Sequence, residues 1–431
     1  MFSKFRPRHI YGILFTILGA IPAFAETYHI DPGNPDGHGT AAKPWADLDT
    51  AFNSGKLKSG DELILHQGNY GNVIVRGWDF SNPIRIAAAP GEMVHFNSLK
   101  VQASRNLIFD GLSIWPVNRS PAKGALVVVA PRAKGIELHR FDIRSRKDAA
   151  SYMKWAKADW QNHQLGGILM QGSDGVISDS TITAISGGMG ISGDNARVTG
   201  NVIRGFSQDG VVGIGNNLVF QNNRIQDCVA INSNHDDGFQ SWATGADGAP
   251  GRGVVEGLTI EGNTILQWTG DLKHPLACSL QGIGMFDGMY KDLIIRNNII
   301  SVSAYHGITV SGAINAEISH NTVINPLGPR RDSPWIEVNA HKNGTPSRNV
   351  TMANNAAPIV RMNPSFGTFS GNIKMIYPGQ EIVAPYAGDF RPLPGGRLDG
   401  HADPAFAAAT DILGQRRPLG AGPDIGAIEI P

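Results

Sequence analysis

The chain has 431 residues, with 37 Lys plus Arg against 37 Asp plus Glu and a formal net charge of zero at pH 7. That balance excludes a global field able to gather nucleic acid or an anionic membrane, so any recognition of charge has to be local. Glycine is abundant at 53 residues and long charged periodic runs are few, which points to many short strands joined by tight turns rather than to a helical protein.

In chain order, residues 1–25 carry Lys4, Arg6 and Arg8, then the apolar run from Ile13 to Leu18, then Ala23-Phe24-Ala25. This is the form of a secretory signal peptide rather than of a membrane span. No later apolar run is long enough to cross a bilayer. The expectation is a soluble monomer beginning at Glu26, exported to the periplasm or the medium. Its two cysteines, Cys228 and Cys278, either pair or stay as two buried thiols. Residues 26–60 read as a strand from Thr27, a glycine-rich stretch, and a short amphipathic helix after Pro44 with Leu48, Ala51 and Phe52 on one face. Such a helix would cover the open end of a repetitive core.

From 61 to about 375 the chain is a string of very short strands punctuated by Gly, Asn and Asp. Segments beginning Gly190-Ile191, Gly210-Val211, Gly238-Phe239, Gly282-Ile283 and Gly307-Ile308 stack on one another. A second punctuation gives the series Asn201, Asn223, Asn263, Asn298 and Asn321. Its shorter intervals lie in the low twenties and the longer ones contain inserted loops. Strands too short for hairpins, with one Asn recurring at one turn, are a signature of stacked coils, and the asparagines are expected to form an internal structural ladder.

This pattern resembles the right-handed parallel β-helix of the pectate lyase-like superfamily. The opening, with Pro44, Trp45, Leu48 and Gly60-Asp61, and the tail over 376–431, with Asp411-Ile412-Leu413-Gly414 and Gly422 to Glu429, resemble the start and end of secreted members. The resemblance implies an all-β solenoid with a capping helix and an extended C-terminal tail. It does not choose a reaction, because the superfamily includes lyases, hydrolases, epimerases and adhesins.

Equivalent residues of neighbouring coils stack about 4.8 Å apart. The residues before the repeat glycines, Asp209, Asp237, Gln281 and His306, are therefore expected to form a column flanked by Asp236 and Tyr305. His235 stands beside it, in Asn234-His235-Asp236-Asp237-Gly238-Phe239-Gln240-Ser241-Trp242. Stacked carboxylates raise each other's proton affinity or demand a cation, and calcium at Asp209, Asp236 and Asp237 would answer that demand. A solvated row of Asp-Gly turns is the alternative. Gln240 and Trp242 alternate with Phe239, so they should face outwards while Phe239 joins Ile191, Val211, Ile283 and Ile308 in the core.

Four insertions are expected to wall a cleft beside this column. Ser145 to Gln164 carries Lys154, Trp155, Trp160 and His163; Ala243 to Gly253 is glycine-rich; Trp268 to Ser279 carries Lys273 and His274; Asn325 to Ser333 carries Arg330 and Arg331. Trp faces suit sugar rings and Lys and Arg suit uronate carboxylates, while core packing is the other use for each Trp. The reading is an enzyme on an acidic polysaccharide, with elimination ahead of hydrolysis. Asp209, Asp236-Asp237 and His306-Gly307 resemble elements of polygalacturonase-like hydrolases, with an extra coil between Asp237 and His306 and no following Arg-x-Lys. His235-Asp236 is similar to the His-Asp of alginate epimerases, with Ser233-Asn234 in place of Asp-Pro. A non-catalytic glycan-binding β-helix is the remaining alternative.

Overall fold

Each coil lays down three short strands and then returns to stack on the coil before it. Arg197–Thr199, Val202–Phe206 and Val211–Gly213 follow in order, and Val219–Gln221 then pairs in parallel with Arg197–Thr199. The computed structural model describes residues 25–34, 37–117, 124–330 and 333–431. Repetition of this coil builds three sheets: the first, holding Arg197–Thr199, has 14 strands, the second, holding Val202–Phe206, has 12, and the third, holding Val211–Gly213, has 11. Together they form the expected right-handed parallel β-helix. The signal-peptide reading covers residues 1–25, of which 1–24 lie outside the described residues; among the described residues no helix is long and apolar enough to cross a membrane.

Two internal ladders hold the coils in register. At the turn from the first to the second sheet, Asn201, Asn223, Asn263, Asn298 and Asn321 are buried. Each donates a side-chain hydrogen bond to the next asparagine at 2.9–3.1 Å, and the series runs on through Asn355 to Asn372. The residue before each rung is left-handed, as at Asn222 (φ 55°), Asn297 (55°) and Asn354 (57°), a conformation that favours Gly and Asn. That is why the sequence shows Asn-Asn and Gly-Asn doublets.

The second ladder is of glycines, at the entrance to the third sheet. Gly188, Gly210, Gly238, Gly282 and Gly307 are stacked so closely that a Cβ on Gly188 would lie 2.1 Å from the Gly210 carbonyl oxygen, and one on Gly282 2.1 Å from that of Gly307. Gly188 therefore replaces Gly190 in the repeat: Met189 stands opposite Val211, and Ile191 opposite Gly213. The core column after the glycines is Met189, Val211, Phe239, Ile283 and Ile308, without Ile191.

One end and one flank are covered. Helix Leu48–Asn53, capped by Asp47 accepting from the Thr50 amide, buries Leu48 and Ala51 against the first coils, and Phe52 stacks on Trp78. Strand Thr27–Ile30 pairs directly with Glu62–Leu65. The tail lays Met375, Ile382, Phe390 and Leu398 over Leu266, Ile299 and Ile324 on the outside of the second sheet. Within it Arg417 and Glu429 form an ion pair at 2.8 Å with no exposed side-chain surface.

Candidate functional site

The column read from the sequence is present in the third sheet. Asp237 stands opposite Gln281, and the pairing of Ile283 with Ile308 sets Gln281 level with His306 on the next coil. On the other side the Asp237 amide donates to Asp209 Oδ1 at 3.0 Å. Asp209 is half-buried, Asp236 and Asp237 are buried. The Asp237 carboxyl occupies the place of a missing side chain at Gly284, where a Cβ would be 2.5 Å from its Oδ1. Its Oδ2 accepts from Gln240 Nε2 at 3.2 Å and lies 3.6 Å from Nδ1 of the exposed His235.

The surroundings of these carboxyls offer few donors. Asp236 Oδ2 lies 3.4 Å from Cys228 Sγ, but Cys228 is bonded to Cys278 and has no thiol proton to give. The Oδ1 atoms of Asp236 and Asp237 and the Oε1 of Gln281 are buried with no hydrogen-bond partner. Burial first, and then repulsion from Asp209, push Asp236 up to about 7; burial, Asp209 and Asp236 push Asp237 up to about 8. Asp209 is raised by burial, partly offset by the Asp237 amide. Across the column the imidazole of His306 goes the other way, down to about 4, chiefly because burial disfavours its cation.

A stability consequence follows from the proton count. A folded chain whose carboxyls are raised from 3.8 to about 7 and about 8 holds protons that the unfolded chain has released, so its stability is lost as pH rises through those values. His306 and His320, lowered to about 4 and about 3, act in the opposite sense, but their contribution is complete by about pH 7. The denaturant midpoint is therefore expected to fall between about pH 7 and about pH 9, and to fall less in Asp237→Asn. An equal fall in variant and parent would count against this account of the buried carboxyls.

The other expected site residues divide sharply. Gln240 is half-buried and donates to Asp237, whereas Trp242, also half-buried, stands at the far end of the strand; Tyr305 is 46 % exposed next to His306, with ring centroids 4.1 Å apart. Trp155 and Trp160 do not line the cleft. They are 6 % and 3 % exposed and pack with Ala149, Tyr152, Ile231 and Trp268 in a satellite core that holds two insertions together. His274 stacks on Trp268 at 5.1 Å, part of the same platform. Lys154, Lys273 and Arg330 are exposed, and among the described residues no side-chain hydrogen bond or ion pair ties them to the column; Arg331 lies outside the described residues. The loop from Ala243 to Gly253 leaves the far end of strand Asp237–Trp242, away from the column. The corner before the glycines has instead its own insertion, residues 229–236, which carries His235.

Calcium at Asp209, Asp236 and Asp237 finds little support in the geometry. Among the described residues, the one set of three His, Cys, Asp or Glu side chains whose ligand atoms all lie within 4.8 Å is Cys228, Asp236 and Cys278. Two of those are a disulfide, and the three aspartates do not meet that spacing, so they do not present the oxygen cage that calcium takes.

A groove of about 1650 Å³ runs over the third sheet from Met93 and Trp115, past Lys147, Leu169 and Val212, to Asp209. Lys147 is exposed, whereas Arg146 beside it pairs with Asp148 and lies 4.7 Å over the ring of Trp155. On the other side of the column the expected Tyr305 is joined by two aromatic groups that the sequence had not marked, Phe286 and Trp335. Phe286, Tyr305 and Trp335 surround His306 at ring separations of 4.5, 4.1 and 5.1 Å.

Residues 160–373 match the family model of the right handed beta helix region. No curated protein matches the chain by sequence. Among solved structures it is similar to the pectate lyase Pel9A, at 13% identity with a TM-score of 0.52, covering 94% of this chain and 96% of that one. It is also similar to the PL6 family alginate lyase AlyGC, at 16% identity and a TM-score of 0.41 over 80% of this chain and 51% of that one. A third is PfbA, a surface adhesin of Streptococcus pneumoniae, at 10% identity and 0.41 over 73% and 81%. The chain folds as a right-handed parallel β-helix. At these identities the likeness describes the fold alone.

Proposed function

We propose that the protein is an exported enzyme that cleaves an acidic, uronate-containing polysaccharide by β-elimination in the groove that ends on Asp209. The observation that carries this reading is the column itself, where carboxyls driven towards their protonated form stand in one row with the imidazole of His306, which burial drives towards its neutral form. Environments that push neighbouring groups apart in this way let an acid and a base coexist at one pH. Asp209, half-buried at the end of the groove, is the acid. His235, exposed with its Nδ1 towards Asp237, is the base, and Asp237 orients it.

In that reaction His235 takes the proton from C5 of the uronate, the freed electron pair becomes the C4–C5 double bond, the C4–O bond breaks, and Asp209 protonates the departing oxygen. Lys147 on the groove wall holds uronate carboxylates. Hydrolysis is the second reading, favoured by the clustering of Asp209, Asp236 and Asp237, since glycoside hydrolysis runs on paired carboxyl groups. The test incubates the mature protein with a panel of acidic and neutral polysaccharides, with calcium and with chelator, reading ultraviolet absorbance and new reducing ends together. Both signals on a uronate polymer are the expected result, because only elimination leaves the conjugated double bond. Reducing ends without absorbance would replace elimination by hydrolysis, loss of both signals in chelator would restore a metal, and neither signal on any glycan would leave a binding protein or an epimerase.

A further inference from the structure

His306 is the one histidine of the site whose surroundings fix its proton. Its Nδ1 lies 2.7 Å from Thr309 Oγ1, and the same oxygen accepts from Trp335 Nε1 at 2.7 Å. An indole nitrogen only donates. Thr309 is 2 % exposed, and among the described residues its hydroxyl has no further partner, so the hydroxyl proton has one acceptor within reach, His306 Nδ1. A buried hydroxyl that donated to nothing would carry an uncompensated desolvation cost. The imidazole therefore receives a hydrogen bond at Nδ1 and carries its own proton on Nε2. Among the described residues Nε2 makes no hydrogen bond, and it is not a buried atom, so this N–H is accessible to a ligand.

Three rings enclose the imidazole: Phe286 from the preceding coil, Tyr305 on its own strand end, and Trp335 from the next. The charged groups that act on it are Glu337, which favours the cation, and His235, which opposes it. Glu337 is engaged by Arg361, whose guanidinium also lies 4.5 Å over the Trp335 ring. Aromatic enclosure keeps the ring uncharged against the pull of Glu337.

We propose that His306 serves the reaction as a neutral hydrogen-bond donor through Nε2–H, aimed at the substrate oxygen on which negative charge develops, with Thr309 and Trp335 as the positioning residues that fix its tautomer. This rests on the cleavage reading above and removes His306 from the candidates for the base. A neutral N–H fixed in place can donate to an oxyanion as charge develops on it.

The test has a spectroscopic arm and a kinetic arm on the full mature chain. Nitrogen NMR of histidine-labelled protein, with His306→Gln to assign the signals, is expected to show the Nε2–H tautomer from about pH 5 to about pH 9. Thr309→Val, which removes the hydroxyl, is expected to lose that preference, and Thr309→Ser to keep it. In turnover His306→Ala is expected to lose about 10²–10³-fold, the usual cost of one such donor, while His306→Gln, whose amide still donates, stays within about tenfold of the parent. A proton on Nδ1, a titration of His306 near neutrality that activity follows, or a folded His306→Gln as inactive as His306→Ala would overturn the proposal. Absence of turnover on every glycan would overturn the cleavage reading and the catalytic role with it, while the tautomer would still decide whether the relay from Trp335 exists.

Discussion

Asp209→Asn is expected to lower turnover by about 10²–10⁴-fold, the range lost with a general acid, while leaving the fold intact. The substitution separates the two tasks of this side chain. Its Oδ1 accepts the Asp237 amide at 3.0 Å, and an asparagine oxygen can do the same, so the link between the two coils survives. What is lost is a titratable carboxyl whose proton affinity burial raises. Asp209→Ala removes both and should cost stability as well as rate. The comparison is made by steady-state turnover beside a denaturant melt of each variant. Retention of more than half of the activity in Asp209→Asn would remove Asp209 from the chemistry and transfer the acid role to Asp236 or Asp237, both of which are enclosed by their neighbours.

Much of this site was legible because the third sheet marks it with glycine. Each of Asp209, Asp237, Gln281 and His306 precedes a glycine whose missing side chain lets successive coils approach, so aligning the glycines aligned the column. The same device failed where two glycines compete: Gly188-Met189-Gly190 offers two registers to a reader of the sequence, and contact with the Gly210 carbonyl selects the first. The asparagine series likewise broke off at Asn321 in the sequence, because Asn355 and Asn372 lack the β-branched pair or near-pair that followed the earlier rungs, although their amides continue the same chain of hydrogen bonds.

What the sequence did not disclose is what depends on packing between distant segments. Trp155 and Trp160 look like a sugar platform when read alone, yet an insertion of that length needs apolar groups of its own to stay folded, and they supply them together with Trp268 from another coil. Trp335 carried no signal because the pairing of His306 with Trp335 is irregular, with the register shifting between His306 and Ile308. That irregularity brings the indole N–H to Thr309, which a regular repeat does not foretell. The enclosure of Asp236 and Asp237 depends in the same way on residues 229–236 and on a disulfide across 50 residues.

The largest loss of stability is expected from the interior of the asparagine ladder, at Asn298→Leu. Asn298 Oδ1 accepts both the amide and the side-chain nitrogen of Asn263, at 2.9 and 3.1 Å, and its Nδ2 donates to the Ile260 carbonyl and to Asn321 Oδ1, each at 2.9 Å. Leucine fills similar volume but leaves the buried Asn263 amide without its acceptor. It also takes one bond each from Asn263 Nδ2, the Ile260 carbonyl and Asn321 Oδ1, of which Asn263 Nδ2 and Asn321 Oδ1 keep other partners, at about 1–3 kcal/mol for each group that finds no substitute. With some relaxation the total should be about 4–6 kcal/mol, comparable with the whole stability of an ordinary domain. The end rung behaves differently. Asn372 still accepts from Asn355, but it is half-buried and has no later asparagine to support, so water can replace part of what Asn372→Leu removes, and its cost should be clearly smaller. Gln102→Ala, which loses only contacts to Arg76 on the outer face, should stay within about 0.5 kcal/mol of the parent. Equilibrium denaturation of the three variants gives the order directly. A loss at Asn298 no greater than that at Gln102 would mean that the coils are held by their apolar columns alone and that the ladder fixes register without adding stability.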